Sequence, residues 1–192
     1  MDANCSVHCM IWVMLPHKYL PNYTVEDYNL WEGDWELIDG IPYAMSPSPQ
    51  KNHQILAAKL VAQLDNSVER EKCADDCAVA SELDWVLNNT TVLRPDVVII
   101  CDKKGSYISE PPALVIEILS PSSAFKDRQV KLEIYEEQGV KYYIVIDPIL
   151  KTYNIYVLSN DRYIEQSGIS SFNLHAGYKI QLDIIKALKA LD

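Results

Sequence analysis

Apolar and polar residues alternate with two different periods along this chain, and the changes of period mark its elements. Over 50–72 the apolar side chains fall at Ile55, Leu56, Leu60, Val61, Leu64 and Val68. This is the spacing of a long amphipathic helix lying on a sheet. Just before it, strand-like segments at 34–38 and 41–45 flank Asp39-Gly40, a pair suited to a two-residue hairpin turn. Pro47 and Pro49 break the second of these strands. Upstream, Thr24-Val-Glu-Asp27 has the spacing of a capping box and predicts a short helix reaching Trp31.

The middle of the chain reads as strands at 79–87 and 93–101, joined by a turn at Asn88-Asn89. Pro111-Pro112 introduces the apolar run Ala113-Leu-Val-Ile-Glu-Ile-Leu119. Ser120-Pro-Ser-Ser123 stops that strand and offers an N-cap for a helix ending at Gly139. A buried strand over 142–147 follows, stopped by Pro148, and 153–158 with 162–166 predict a closing hairpin around Ser159-Asn160-Asp161. The strand-helix-strand unit over 113–147 implies a parallel pair with a right-handed crossover. No internal repeat or linker interrupts the pattern. The expectation is one mixed α/β domain over residues 1–192, with 1–20 as an irregular N-terminal extension. Closely spaced Ile180, Leu182, Ile184, Ile185 and Leu188 either cap the core or form a homodimer contact.

Composition narrows the function classes. The chain has 192 residues, 48% hydrophobic and 23% charged, with a formal net charge of -10. That length supports one good core, and the negative balance argues against broad, charge-driven nucleic-acid binding. A local basic cleft, or a metal bridging acid to phosphate, stays open. The five cysteines (Cys5, Cys9, Cys73, Cys77, Cys101) are odd in number, which fits incidental free thiols in a reducing cytoplasm better than a disulfide framework. A zinc site drawn from them and His8 has no recurrent finger spacing. Met10-Ile-Trp-Val-Met-Leu15 is too short to span a membrane.

Polar residues inside apolar strands need a reason. Glu117 lies within one such run, and Asp96 heads the strand before it, in Arg94-Pro-Asp-Val97. A buried carboxylate is costly unless a cation receives it. Salt bridges would meet that need, from Arg94 to Asp96 and from Lys131 or Arg94 to Glu117. So would a hard metal ion, which prefers oxygen ligands and keeps several waters. In the following helix Asp127, Lys131 and Tyr135 recur at i,i+4 and share one face. Turned towards the strand ends, that face brings an ammonium to the acids. There it can orient or help deprotonate a water, or neutralise charge on phosphorus.

An ordered set of motifs resembles the Uma2 family, formerly DUF820, of the PD-(D/E)XK nuclease superfamily. The set comprises Glu36-Leu-Ile-Asp-Gly40, His53, Arg94-Pro-Asp-Val97, Val115-Ile-Glu-Ile-Leu-Ser-Pro-Ser122, Asp127, Lys131, Tyr135, Gly139-Val and Tyr143-Ile-Val-Ile-Asp-Pro148. The resemblance implies a restriction-endonuclease-like core, a mixed β-sheet flanked by helices. It also implies a Mg2+-dependent (or Mn2+-dependent) endonuclease acting on DNA, with a catalytically inactive interaction module as the alternative. On it, Asp96 and Glu117 become the metal-holding acids of the PD and (D/E)XK elements. Glu36 becomes a further acid, and His53, Asp127 and Tyr135 support the site. Leu119 stands where the superfamily places its lysine, so Lys131 takes that role.

Overall fold

The 20-residue helix α2 (Lys51–Arg70) forms where the apolar spacing predicts it and buries Leu56, Leu60, Leu64 and Val68. In the computed structural model, which describes residues 20–45, 50–101, 107, 108, 110–174 and 177–192, α2 covers one face of a six-stranded sheet. Ahead of it lie α1 (Val25–Tyr28), with its Thr24/Asp27 capping box formed, and a hairpin of β1 (Trp35–Ile38) and β2 (Ile41–Ala44). Asp39 and Gly40 both adopt positive φ, 49° and 77°, as the tight turn between them demands.

Each of the two strands expected over 79–87 and 93–101 is two strands in two sheets. β3 (Ala78–Ala80) edges the large sheet, while β4 (Trp85–Asn88) belongs to a small one. Between them Glu82 takes a φ of 52°, which no continuous strand tolerates. Likewise β5 (Thr91–Leu93) pairs in the small sheet and β6 (Val97–Ile100) in the large one. Arg94-Pro95-Asp96 is the joint, and Pro95 brings no N–H to a ladder. The small sheet has the order β2-β1-β5-β4.

The large sheet continues with β7 (Leu114–Ile118), β8 (Tyr142–Asp147), β9 (Thr152–Ser159) and β10 (Arg162–Gln166), in the order β10-β9-β8-β7-β6-β3. β7 and β8 are parallel, as the strand-helix-strand pattern requires, and the other pairs are antiparallel. The connection opens with Ser120 and Ser123, whose hydroxyls each accept the other's backbone N–H at 3.2 and 3.1 Å. It then makes one wide π turn (Lys126–Val130), in which the Lys131 N–H bonds back to the Lys126 carbonyl, before α3 (Lys131–Glu137). Gly139, at φ 78°, ends the helix, and the Val140 N–H reaches the Tyr135 carbonyl at 3.0 Å, a Schellman closure.

Side chains of the central strands alternate between two cores. Val97, Ile99, Leu114, Ile116, Ile118, Ile144 and Ile146 face α2. Val98, Val115, Tyr143 and Val145 face α3 and the small sheet. The chain closes with β11 (Ser171–Asn173), β12 (Lys179–Gln181) and α4 (Ile184–Lys189). Ile180, Leu182, Ile184 and Leu188 join the α2 core, so this segment caps it, and Ile185 stays exposed.

The expectation of free thiols is corrected at one pair. Cys77 and Cys101 extend the β3–β6 ladder by one residue at its end and are joined by a disulfide. Directly opposed positions on neighbouring strands bring the two sulfurs within bonding reach, a proximity that sequence spacing does not reveal. Cys73, fully buried, donates its thiol to the Val68 carbonyl at 3.4 Å. Cys5, Cys9, His8, the apolar stretch at 10–15, Pro47 and Pro49 lie outside the described residues. Among those described, no helix is long and apolar enough to cross a membrane.

Candidate active site

Period-two alternation sends Glu117 towards α3, opposite in direction to Ile116 and Ile118 and beside Val145 in the ladder. Only 2% of the residue is exposed. Its Oε1 accepts a hydrogen bond from Lys131 Nζ at 2.7 Å and another from the Tyr135 hydroxyl at 2.8 Å. Lys131 also pairs with Glu36 Oε1 at 2.7 Å and approaches Asp127 Oδ1 at 3.5 Å. Glu36, fully buried on β1, accepts the Arg94 N–H at 2.9 Å on the same oxygen. One ammonium therefore ties the small sheet, the large sheet and the helix together.

Asp96 stands at the joint between the sheets, 7% exposed. Its Oδ2 accepts the Ile118 N–H at 2.6 Å and lies 3.3 Å from His53 Nε2, which reaches over from α2. Arg94 turns away from both predicted acids. It bonds Asp84 through Nε and Asp34 through Nη1, each at 2.6 Å. Glu36, His53, Asp96, Glu117, Asp127 and Lys131 thus line one cavity of about 620 Å³. Tyr135 sits behind it, stacked on Trp85.

The charges differ in character. Burial opposes ionisation of Glu36, but the ammoniums of Lys131 and Lys126 outweigh it and hold this carboxyl below its ordinary range. For Glu117 burial wins. Lys131 helps, yet Asp127, Asp96 and Glu36 crowd more negative charge around it, and its carboxyl lies well above the usual value. Asp127 is raised as well, again chiefly by burial. Burial disfavours the Lys131 ammonium, but Glu117 and Glu36 overcome that and keep it firmly protonated. Burial also works against a charged His53, and Asp96 beside it more than compensates.

Lys126 is the site residue that the i,i+4 reading missed. It pairs with Glu36 Oε2 and stands 5.4 Å over the Tyr43 ring. In a regular α-helix residues five apart diverge by roughly 140°. The π turn, with its i→i+5 bond, brings Lys126 and Lys131 onto one face, where both meet Glu36. A lysine five residues before Lys131 carries that signal only if the wide turn is anticipated.

The donor set suits a hard cation. Asp96 and Glu117 offer carboxylate oxygens to the same cavity. Burial, with the neighbouring acids adding to it, raises Glu117, so added positive charge there would favour its carboxylate. Among the described residues no three His, Cys, Asp or Glu side chains form a metal-binding group. An ion there would be held by the two carboxylates that line the cavity, with its other positions left to water, an arrangement open to Mg2+.

A mixed sheet with helices on both faces, and with acids gathered where its central strands meet a second sheet, defines a nuclease-like α/β protein. The Uma2 family model, described as "Putative restriction endonuclease", matches residues 25–183, and the chain belongs to that family. It is 31% identical over 129 residues to the "Uncharacterized protein slr1290" of Synechocystis sp., an alignment covering 62% of this chain. The chain spans 65% of that relative's length. A solved structure from Anabaena variabilis, described as "a putative nuclease belonging to DUF820", superposes with a TM-score of 0.68 at 17% identity. That match covers 88% of this chain and 99% of the Anabaena chain, and it bears on the fold alone.

Proposed function

We propose that this protein is a Mg2+-dependent endonuclease that hydrolyses DNA phosphodiester bonds. The observation that carries the reading is the meeting of Asp96, Glu117 and Lys131 in one cavity, on a chain of the Uma2 family. Asp96 and Glu117 would hold the metal, which supplies Lewis-acid polarisation of a phosphoryl oxygen and a more acidic bound water. The Ile118 N–H and His53 fix the Asp96 carboxylate. Tyr135 and Lys131 fix that of Glu117.

Of the roles open to Lys131, the protonated ones are favoured. Its proton is held by Glu117 and Glu36, so it serves as a permanent cation that orients both carboxylates rather than as a base. Glu36 keeps that ammonium in place from the opposite sheet. Lys131 therefore does from the helix what a lysine at position 119 would do from the strand, namely supply positive charge beside Glu117.

Cleavage of plasmid and single-stranded DNA, with and without Mg2+, tests the reading in wild type and Glu117→Ala. Metal-dependent cutting by wild type alone is the expected result, and equal cutting by both proteins sinks the assignment of the site. A second reading has its own support, because the Lys131 network already satisfies Glu117, as a catalytically inactive interaction module would need. In that case wild type cuts nothing, and added Mg2+ leaves its melting temperature unchanged. The nuclease reading expects Mg2+ to raise the melting temperature of wild type and not of the variant.

A further inference from the structure

Two adjacent residues that line the cavity, one exposed and one mostly buried, have no part in holding the metal or Glu117. Phe125 is 76% exposed and lines the cavity, immediately before the π turn. A single exposed apolar residue is ordinary on any surface. This one adjoins Lys126, which stands at the wall of the same cavity beside Tyr43. We propose that Phe125 and Lys126 grip an unpaired nucleotide, with the ring stacking on the base and the ammonium meeting its phosphate, so that the substrate is single-stranded DNA. This rests on the nuclease reading and names its substrate class.

The charge pattern disfavours duplex more than single strand, whose charge density is lower and whose bases are free to stack. Proteins that bind duplex DNA draw affinity from many Lys and Arg contacts to phosphates. Here the cavity is lined by Asp34, Glu36, Glu82, Asp96, Glu117 and Asp127 against Arg94, Lys126 and Lys131. Arg94 is committed to Asp34 and Asp84, and Lys131 is sealed inside. Lys126 is differently placed. Its carboxylate partner Glu36 is also held by Lys131 at 2.7 Å, so Glu36 keeps a cation when Lys126 turns to a phosphate. With so little positive charge to offer, stacking becomes the main source of affinity. Stacking requires a base that has left the helix, and it contributes on the order of 1–3 kcal/mol per base.

The test is binding, read separately from cleavage. A short thymidine oligonucleotide carrying one 2-aminopurine is titrated in EDTA, alone and annealed to its complement, with wild type, Phe125→Ala and Phe125→Trp. The expected result is tighter binding of the single strand, with fluorescence quenching. Phe125→Ala should weaken it by about fivefold to a hundredfold, and Phe125→Trp should restore it. Lys126→Gln should reduce the salt slope of single-strand binding by about 0.7. Because Phe125 is exposed, its substitution spares the core, and unchanged melting temperatures verify this. Equal or tighter duplex binding, or wild-type affinity in Phe125→Ala, overturns the inference. If metal-dependent cleavage survives those results, the nuclease reading stands without it. Loss of both nucleic-acid binding and cleavage in wild type overturns both.

Discussion

Beneath α2 and α4 the six-stranded sheet buries Val97, Ile99, Ile116 and Ile144, whereas beneath α3 the same strands bury Glu117 against Lys131 and Tyr135. The first face loses stability in small steps as methylenes are removed. The second has no small steps, because each charge there is the condition for burying another. A buried ion pair is weak support for stability, so the polar face points to a use for the charges rather than to a stronger fold.

The sharpest way to break this contrast is Lys131→Met. It leaves Glu36 with Lys126 and the Arg94 N–H, and Glu117 with the Tyr135 hydroxyl. Removing one partner of a buried pair costs about 3–5 kcal/mol, measurable by urea unfolding, and a loss below that of an apolar trim would refute the contrast. Tyr135→Phe removes one hydrogen bond to the buried Glu117 carboxyl and should cost about 1–3 kcal/mol in the same assay. On the other face, Ile116→Val should cost only about 0.5–1.5 kcal/mol and leave any Mg2+-induced rise in melting temperature intact.

The smallest effect is one of pH. Glu117 has its carboxyl raised above its unfolded value, so between the two values the folded chain holds more protons than the unfolded one. Its contribution to stability therefore falls as pH climbs through that window. Glu117→Gln should flatten this descent in melting curves taken from the unfolded carboxylate range upward, and an unchanged profile would place the proton elsewhere.

Much of this was legible in the residues because local chemistry and tertiary demand agree. Asp39-Gly40 makes its turn, α2 follows its apolar spacing, and the strand-helix-strand run yields the parallel β7–β8 pair. The convergence of Asp96, Glu117 and Lys131 followed from strand order and helix spacing together. What escaped were features set by partners distant in sequence. A period of two cannot tell which sheet a strand joins, so the breaks at Glu82 and Pro95 were invisible. The contact of Cys77 with Cys101 depends on the β3–β6 register. Arg94 was available on paper to either acid, and Asp84 claimed it instead.

The π turn at Lys126–Val130 can be regarded as one inserted residue in an otherwise ordinary helix. Uniform α winding through the same residues would carry Lys126 off the face that Lys131 occupies. Removing one residue together with the wide turn would set the two lysines four apart and return Lys126 to that face. A chain without the insertion can therefore keep both ammoniums on Glu36 with its lysines one position closer, so the spacing of the pair and the winding of the connection are inherited together.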